Sequence, residues 1–297
     1  MNRVPAIGVE SLSRLRPTRT TVAALLVVAS LVLAACGEEA DAPADHPTEP
    51  IEHVHGLGVD PSDGALYIAT HSGLFRSPEG TTSATRVGES TQDTMGFTIA
   101  GPKRFLGSGH PGVGEAGPPN LGLIESSDGG TSWREVSLGG QADFHVLHYG
   151  AGRVYGVNGL SGLIMLSEDG GETWDEIKPP QPAIDLAVNP ADGTEMLIST
   201  EAGIAKSGNS GQDWEAASKT PGLFAWYKPG ELFLVDGGGT VRLSEDSGSS
   251  WQPVGSIGGP PAAFTAAADG ALYAALGDGS VVASEDGGES WQLRSSQ

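Results

Sequence analysis

Cysteine is all but absent. Cys36 is the single one in 297 residues, which leaves no disulfide framework and no thiolate metal site to build. Cations are scarce as well: 16 Lys and Arg stand against 37 Asp and Glu, a formal net charge of −21. That balance argues against nucleic acid and against adsorption to anionic lipid headgroups. No long helical periodicity follows residue 36, so a helical or mixed fold is not expected. Phosphate-loop, nucleophile-elbow, CxxC and HExxH motifs are all missing, which leaves kinase, hydrolase and thiol-redox readings without support. Histidine stops at His148 and does not appear again.

What the chain does have is repetition. Five segments, Ser126–Trp133, Ser167–Trp174, Ser207–Trp214, Ser244–Trp251 and Ser284–Trp291, fit one phrase, S-x-[DN]-x-G-x-[STD]-W. Their tryptophans, Trp133, Trp174, Trp214, Trp251 and Trp291, are spaced by 41, 40, 37 and 40 residues. A period of about 40 residues marks a propeller or solenoid. Short apolar runs precede each copy, so the phrase sits in a hairpin turn. Glycine supplies a positive φ there, and Asp128, Asp169, Asn209, Asp246 and Asp286 accept hydrogen bonds from the turn's own amides. Each Trp opens the next strand and offers an apolar plate to bury between sheets. Residues repeated on five separate units cannot converge on one catalytic centre, so these positions are structural.

The phrase resembles the Asp-box, or BNR, repeat of sialidases, sortilin-type receptors and photosystem assembly factors. The resemblance implies an all-β propeller. Residues 52–297 number 246, or 41 per unit across six four-stranded blades; seven blades or an open arc are the alternatives. Inner strands are expected at His53–Val59, Met95–Ala100, Asp143–Tyr149, Ile184–Val188, Leu223–Tyr227 and Ala263–Ala267. The first unit carries a decayed box, Ser77-Pro78-Glu79-Gly80, without the Trp.

Before the propeller the chain reads differently. Residues 1–20 hold four arginines against Glu10, and 21–35 form an apolar run too short to span a bilayer. The run ends Leu33-Ala34-Ala35-Cys36-Gly37, which resembles a bacterial lipobox. The expectation is a signal peptide over 1–35, removed on export, and acylation at Cys36 that anchors the chain to the outer face of a membrane. Residues 36–51 then form an acidic, Pro-rich tether.

Strand order sorts the loops. The start of each first strand and the end of each second strand share one end of a propeller, the channel mouth, and the Asp-box turns share the other. Five histidines from three adjacent blades fall at the mouth: His53, His55, His71, His110 and His145, with Met95 nearby. Imidazoles with a thioether suit zinc or copper. His53 and His55, two apart on a strand, are expected on one face, and His148 deeper in the channel. Carboxylates at the mouth include Asp143, Asp185 and Glu201, which could serve a glycoside hydrolase as its acid and base. Sialidase chemistry proper needs an arginine triad as well. Arg134, Arg242 and Arg294 read as lying away from the mouth, and the Arg-Ile-Pro of that family is missing.

His53-Val54-His55-Gly56-Leu57-Gly58 with Ala69-Thr70-His71-Ser72-Gly73 resembles a group of exported bacterial BNR-repeat proteins labelled glycosyl hydrolases. Fold analogy does not establish that activity. The leading expectation is a membrane-anchored, extracytoplasmic binding or assembly module. It docks a protein or glycan at its rim, with the histidines as a metal site; a glycoside hydrolase is the alternative.

Overall fold

The computed structural model describes Ile51 and residues 53–296. The expected signal peptide, Cys36 and all of the tether but Ile51 lie outside these residues. Ile51 itself belongs to the fold: its side chain is buried in an apolar cluster with Val54, Leu66 and Phe75.

Twenty-four strands form six four-stranded antiparallel sheets in strict chain order. Blade one is β1(Val54–Val59), β2(Leu66–Thr70), β3(Gly73–Ser77) and β4(Thr85–Arg86). Blade two is β5(Asp93–Gly101), β6(Arg104–His110), β7(Leu123–Ser126) and β8(Arg134–Ser137). Blade three is β9(Phe144–Gly150), β10(Arg153–Asn158), β11(Ile164–Ser167) and β12(Asp175–Ile177). Blade four is β13(Asp185–Val188), β14(Met196–Thr200), β15(Gly203–Ser207) and β16(Glu215–Ser218). Blade five is β17(Gly222–Lys228), β18(Glu231–Asp236), β19(Thr240–Ser244) and β20(Gln252–Ser256). Blade six is β21(Pro261–Ala266), β22(Leu272–Leu276), β23(Val281–Ser284) and β24(Gln292–Ser295). The chain folds as a six-bladed β-propeller.

Its core is six wedges, one at each junction between blades. Side chains alternate across a strand, so Leu66 and Ile68 of β2 bury against Ala263, Ala275 and Val281 of blade six. Tyr67 and Ala69 of the same strand bury against Phe97 and Phe105 of blade two. A strand covered on both faces must be apolar throughout, which is why the second strands read as continuous hydrophobic runs.

The Asp-box turns knit these wedges. In blade three, Ser167 Oγ donates to Asp169 Oδ1 (2.8 Å), Thr173 N donates to the same oxygen (3.0 Å), and Thr173 Oγ1 donates to Oδ2. Gly171 adopts φ 98°, and a Cβ there would stand 2.1 Å from Leu123 of blade two. Trp174 ends one residue before β12 rather than inside it, and its Nε1 donates to Ser137 Oγ of blade two (3.0 Å).

Among the described residues no blade borrows a strand from the other end of the chain, and blades one and six meet through direct contacts. Ser83 and Ser296 form a parallel bridge, and Ser296 N donates to Thr82 O (2.8 Å). Arg294 reaches into the decayed box of blade one. Its guanidinium donates to Ser77 Oγ (2.8 Å) and to the carbonyls of Ser77, Pro78 and Thr81. Where blade one lost its Asp and Trp, blade six supplies the polar partner.

Candidate functional site

The inner strands β1, β5, β9, β13, β17 and β21 surround a central cavity of about 690 Å³. Its lining mixes apolar side chains such as Ile99, Trp226 and Phe264 with polar ones, among them His55, His145 and His148. The histidines and carboxylates gather at its mouth beside blades one to three.

Between blades one and two stand His55, His71 and Asp93. Each offers a donor atom, and the three atoms lie within 4.8 Å of one another. His55 Nε2 is 3.7 Å from Asp93 Oδ1, and His71 Nδ1 approaches that oxygen to 2.8 Å. The second approach lacks hydrogen-bond alignment: both Asp93 Oδ1 and His55 Nε2 are buried without a hydrogen-bond partner in the protein. A buried polar atom left unpaired costs about 1–3 kcal/mol. His55 is held neutral, its pKa lowered to about 4 by burial and then by His71, with Asp93 acting the other way.

His53 does not share a strand face with His55 as expected. It precedes β1, is exposed, and has φ 50°, a left-handed conformation costly for a residue with a Cβ. Its ring packs edge-on against His71, centroids 5.0 Å apart, and the His55 ring does the same at 4.3 Å.

A second group is drawn from blades two and three. Asp143, just before β9 and buried, places Oδ2 2.9 Å from His145 Nε2 and 3.7 Å from His110 Nε2. His110 Nδ1 lies 2.8 Å from the Pro119 carbonyl, so that nitrogen carries the proton and donates. The Asp143 hydrogen bond raises the His145 pKa, and His145 in turn holds Asp143 low against its burial.

One backbone device recurs in these three blades. The pairing of β1 with β2 skips between Val54 and Gly56, so His55 is an extra residue in the ladder. The same skip leaves Met95 extra in β5 and His145 extra in β9. Bulges re-aim side chains and concentrate at sites; here all three bulged residues line the central cavity. Blade six carries the same skip at Ala262, and blades four and five have none at this level.

Asp93 went unrecognised in the sequence because β5 was expected to begin at Met95. The signal was its parity with Met95, two residues on, once the strand is extended backwards. His148 lines the channel, and burial lowers its pKa to about 4.

The three carboxylates from which an acid–base pair is expected stand in three different settings. Asp185 accepts from the amides of Leu186 (2.9 Å) and Phe224 (2.6 Å), tying blade four to blade five; burial raises its pKa to about 7. Asp143 is engaged by histidines, and Glu201 stands on an exposed turn after β14. Arg242 is not remote from the mouth: it pairs with Asp236 (2.9 Å) at the end of β18. Arg294, by contrast, is committed to ring closure at the opposite end.

An all-β ring of six blades with Asp-box turns defines a BNR-type β-propeller. The family described as photosynthesis system II assembly factor YCF48 matches residues 117–225, from the loop before β7 into β17. Among solved structures the chain is similar to the GH74 xyloglucanase from Xanthomonas campestris: TM-score 0.55, 15% identity, 82% of this chain and 46% of that one. It is also similar to an ancestral GH74 enzyme (0.53, 13%, 83% and 39%). A third is YCF48 from Cyanidioschyzon merolae (0.51, 14%, 83% and 86%). At these identities the likeness is one of fold, and the chain spans less than half of either GH74 chain. No curated protein matches it in sequence.

Proposed function

We propose that this propeller is a docking module, anchored through Cys36 on the outer face of a membrane, whose mouth binds a segment of a partner protein. The observation that carries the reading is where apolar surface remains. Of the four large hydrophobic side chains that stand exposed among the described residues, three lie on the mouth loops of consecutive blades. Val113 follows β6, Leu160 follows β10, and Ile184 precedes β13. Apolar side chains gathered on one face mark an interaction surface. The surrounding charge is acidic, so the favoured partner segment is apolar with basic flanks.

The match of residues 117–225 to an assembly-factor family supports this reading, since that stretch carries Leu160, Ile184 and most of blades three and four. A glycoside hydrolase needs two available carboxylates about 5–10 Å apart across one sugar bond. Asp185 and Asp143 are already engaged, which favours docking.

The test is photo-crosslinking in the native membrane, with a photoreactive residue at Val113, Leu160 or Ile184 and controls at the exposed Asp-box positions Ser132 and Thr173. One adduct of the same mass from the mouth positions, lost when a neighbouring mouth residue becomes Asp, is the expected result. Equal labelling from both ends, or no adduct from the mouth, would overturn the reading.

A further inference from the structure

We propose that His55, His71 and Asp93 bind one divalent first-row transition-metal ion, zinc in the first instance, between blades one and two at the channel mouth. The inference is independent of docking. Its foundation is a pair of buried donor atoms, His55 Nε2 and Asp93 Oδ1, that stand 3.7 Å apart and receive no hydrogen bond from the protein, although His71 Nδ1 lies 2.8 Å from the aspartate oxygen. A plain histidine–aspartate ion pair explains His71 but leaves His55 Nε2 orphaned. A cation placed among the three satisfies all of them at once.

The spacing fits. Ligands about 2.0–2.1 Å from a tetrahedral zinc stand about 3.3 Å from one another. The His55–Asp93 separation is within a few tenths of an ångström of that, and the 2.8 Å His71–Asp93 contact opens by a similar amount. The donor chemistry fits as well: two neutral imidazoles and one carboxylate are the set of open zinc sites, with the remaining position free for water or an incoming ligand. The β-bulge at His55 turns its ring out of the ladder, and His53 is held at φ 50° with its ring against His71. Backbone strain beside a cluster of donors is where a ligand site is sought.

The neighbouring group is not part of the centre. His145 is satisfied by Asp143, and His110 is oriented by the Pro119 carbonyl. These residues therefore serve as the internal control.

The experiment is a titration of the full-length protein with zinc against a chromophoric chelator, repeated with cobalt(II) to read coordination from its visible bands. One equivalent of zinc is expected, with a four-coordinate cobalt spectrum. His71→Ala and Asp93→Asn each weaken binding by at least 10–100-fold, and His110→Ala leaves it within about twofold. His71 is half exposed and Asp93→Asn is isosteric, so both variants keep the fold; coincident urea unfolding confirms it. Failure to bind an equivalent of zinc would overturn the proposal. So would zinc affinity unchanged in both His71→Ala and Asp93→Asn. Binding confined to copper and abolished by Met95→Leu would overturn it in favour of the bulged residues His55, Met95 and His145.

Discussion

The two ends of this propeller use the same side chains for opposite purposes. At the Asp-box end, Asp128, Asp246 and Asp286 each accept three hydrogen bonds from their own turn, which lowers each pKa to about 2. In blade four the roles swap: Asn209 donates to Asp213 (3.0 Å) while accepting from its amide. These carboxylates and the Asn209 amide are all paired, and among the described box residues the buried side-chain atom without a partner is Trp214 Nε1. At the mouth, Asp93 and Asp143 each keep a buried oxygen without a hydrogen bond, and His55 keeps a nitrogen in the same condition. Repetition satisfies one end, and departure from repetition leaves the other poised. Blades one to three differ from the rest in their histidines; the bulge they share recurs in blade six, where the extra residue is Ala262 and brings no donor.

The comparison predicts that stability and binding separate by end. The largest stability loss should follow Trp174→Ala. The indole fills the wedge between blades two and three against Phe144, ring centroids 5.1 Å apart, and donates across the junction. Truncating a large aromatic in such a wedge costs about 3–5 kcal/mol, the lower value applying here because the ring is only partly buried. Urea unfolding reads this, while zinc stoichiometry should not change. A parallel fall in zinc affinity would show that the two ends are coupled through blade three and would break the comparison.

A smaller loss is expected from Arg294→Ala. Its guanidinium supplies the bonds that replace the missing Asp-box in blade one, at the only junction closed by residues from opposite ends of the described chain. Bonds from a charged donor contribute about 1.5–3 kcal/mol, and water recovers part of them here, so about 2 kcal/mol is expected. Proteolysis near residues 81–84 should accelerate together with the loss of stability. Unchanged stability would mean that the apolar wedge of Leu57, Phe75, Ala263 and Val281 closes the ring unaided.

Much of the fold was legible because repeats make their own alignment. Five boxes fixed the period, and the inner strands fall within two residues of their expected starts; β1 begins at Val54 and β17 at Gly222. The mouth was legible only as a list of residues. Strand parity placed His53 beside His55, but an inserted residue at His55 breaks parity, and nothing in the local sequence marks a bulge without its partner strand. Asp93 lies two residues ahead of the expected start of β5 at Met95. Contacts set by strand order could be read from the sequence; those set by pairing register could not.

The effect that separates the two ends by sign is in pH. Asp128 has its pKa depressed by bonds from Ser132 and Ser126, so its contribution is present above the unfolded value near 4 and is lost as pH falls toward 2. Asp185 is the reverse. Burial, only partly offset by the amides of Phe224 and Leu186, raises its pKa to about 7, so the folded state holds a proton that the unfolded chain has released. Its stabilising influence is therefore greatest near pH 4 and is lost as pH rises to 7. His55 and His148, both lowered to about 4, slope the opposite way over the same range, so the wild-type curve alone does not isolate Asp185. The difference between wild type and Asp185→Asn does, because the histidines cancel. Urea unfolding at half-unit intervals should show that difference moving steadily in the variant's favour from pH 4 to 7 and holding level above. An Asp128→Asn variant should differ from wild type by a constant amount in that window, and the gap should narrow only below pH 4. If both differences bend in the same direction, the carboxylates of the mouth and of the boxes are held alike, and the contrast between the two ends is wrong.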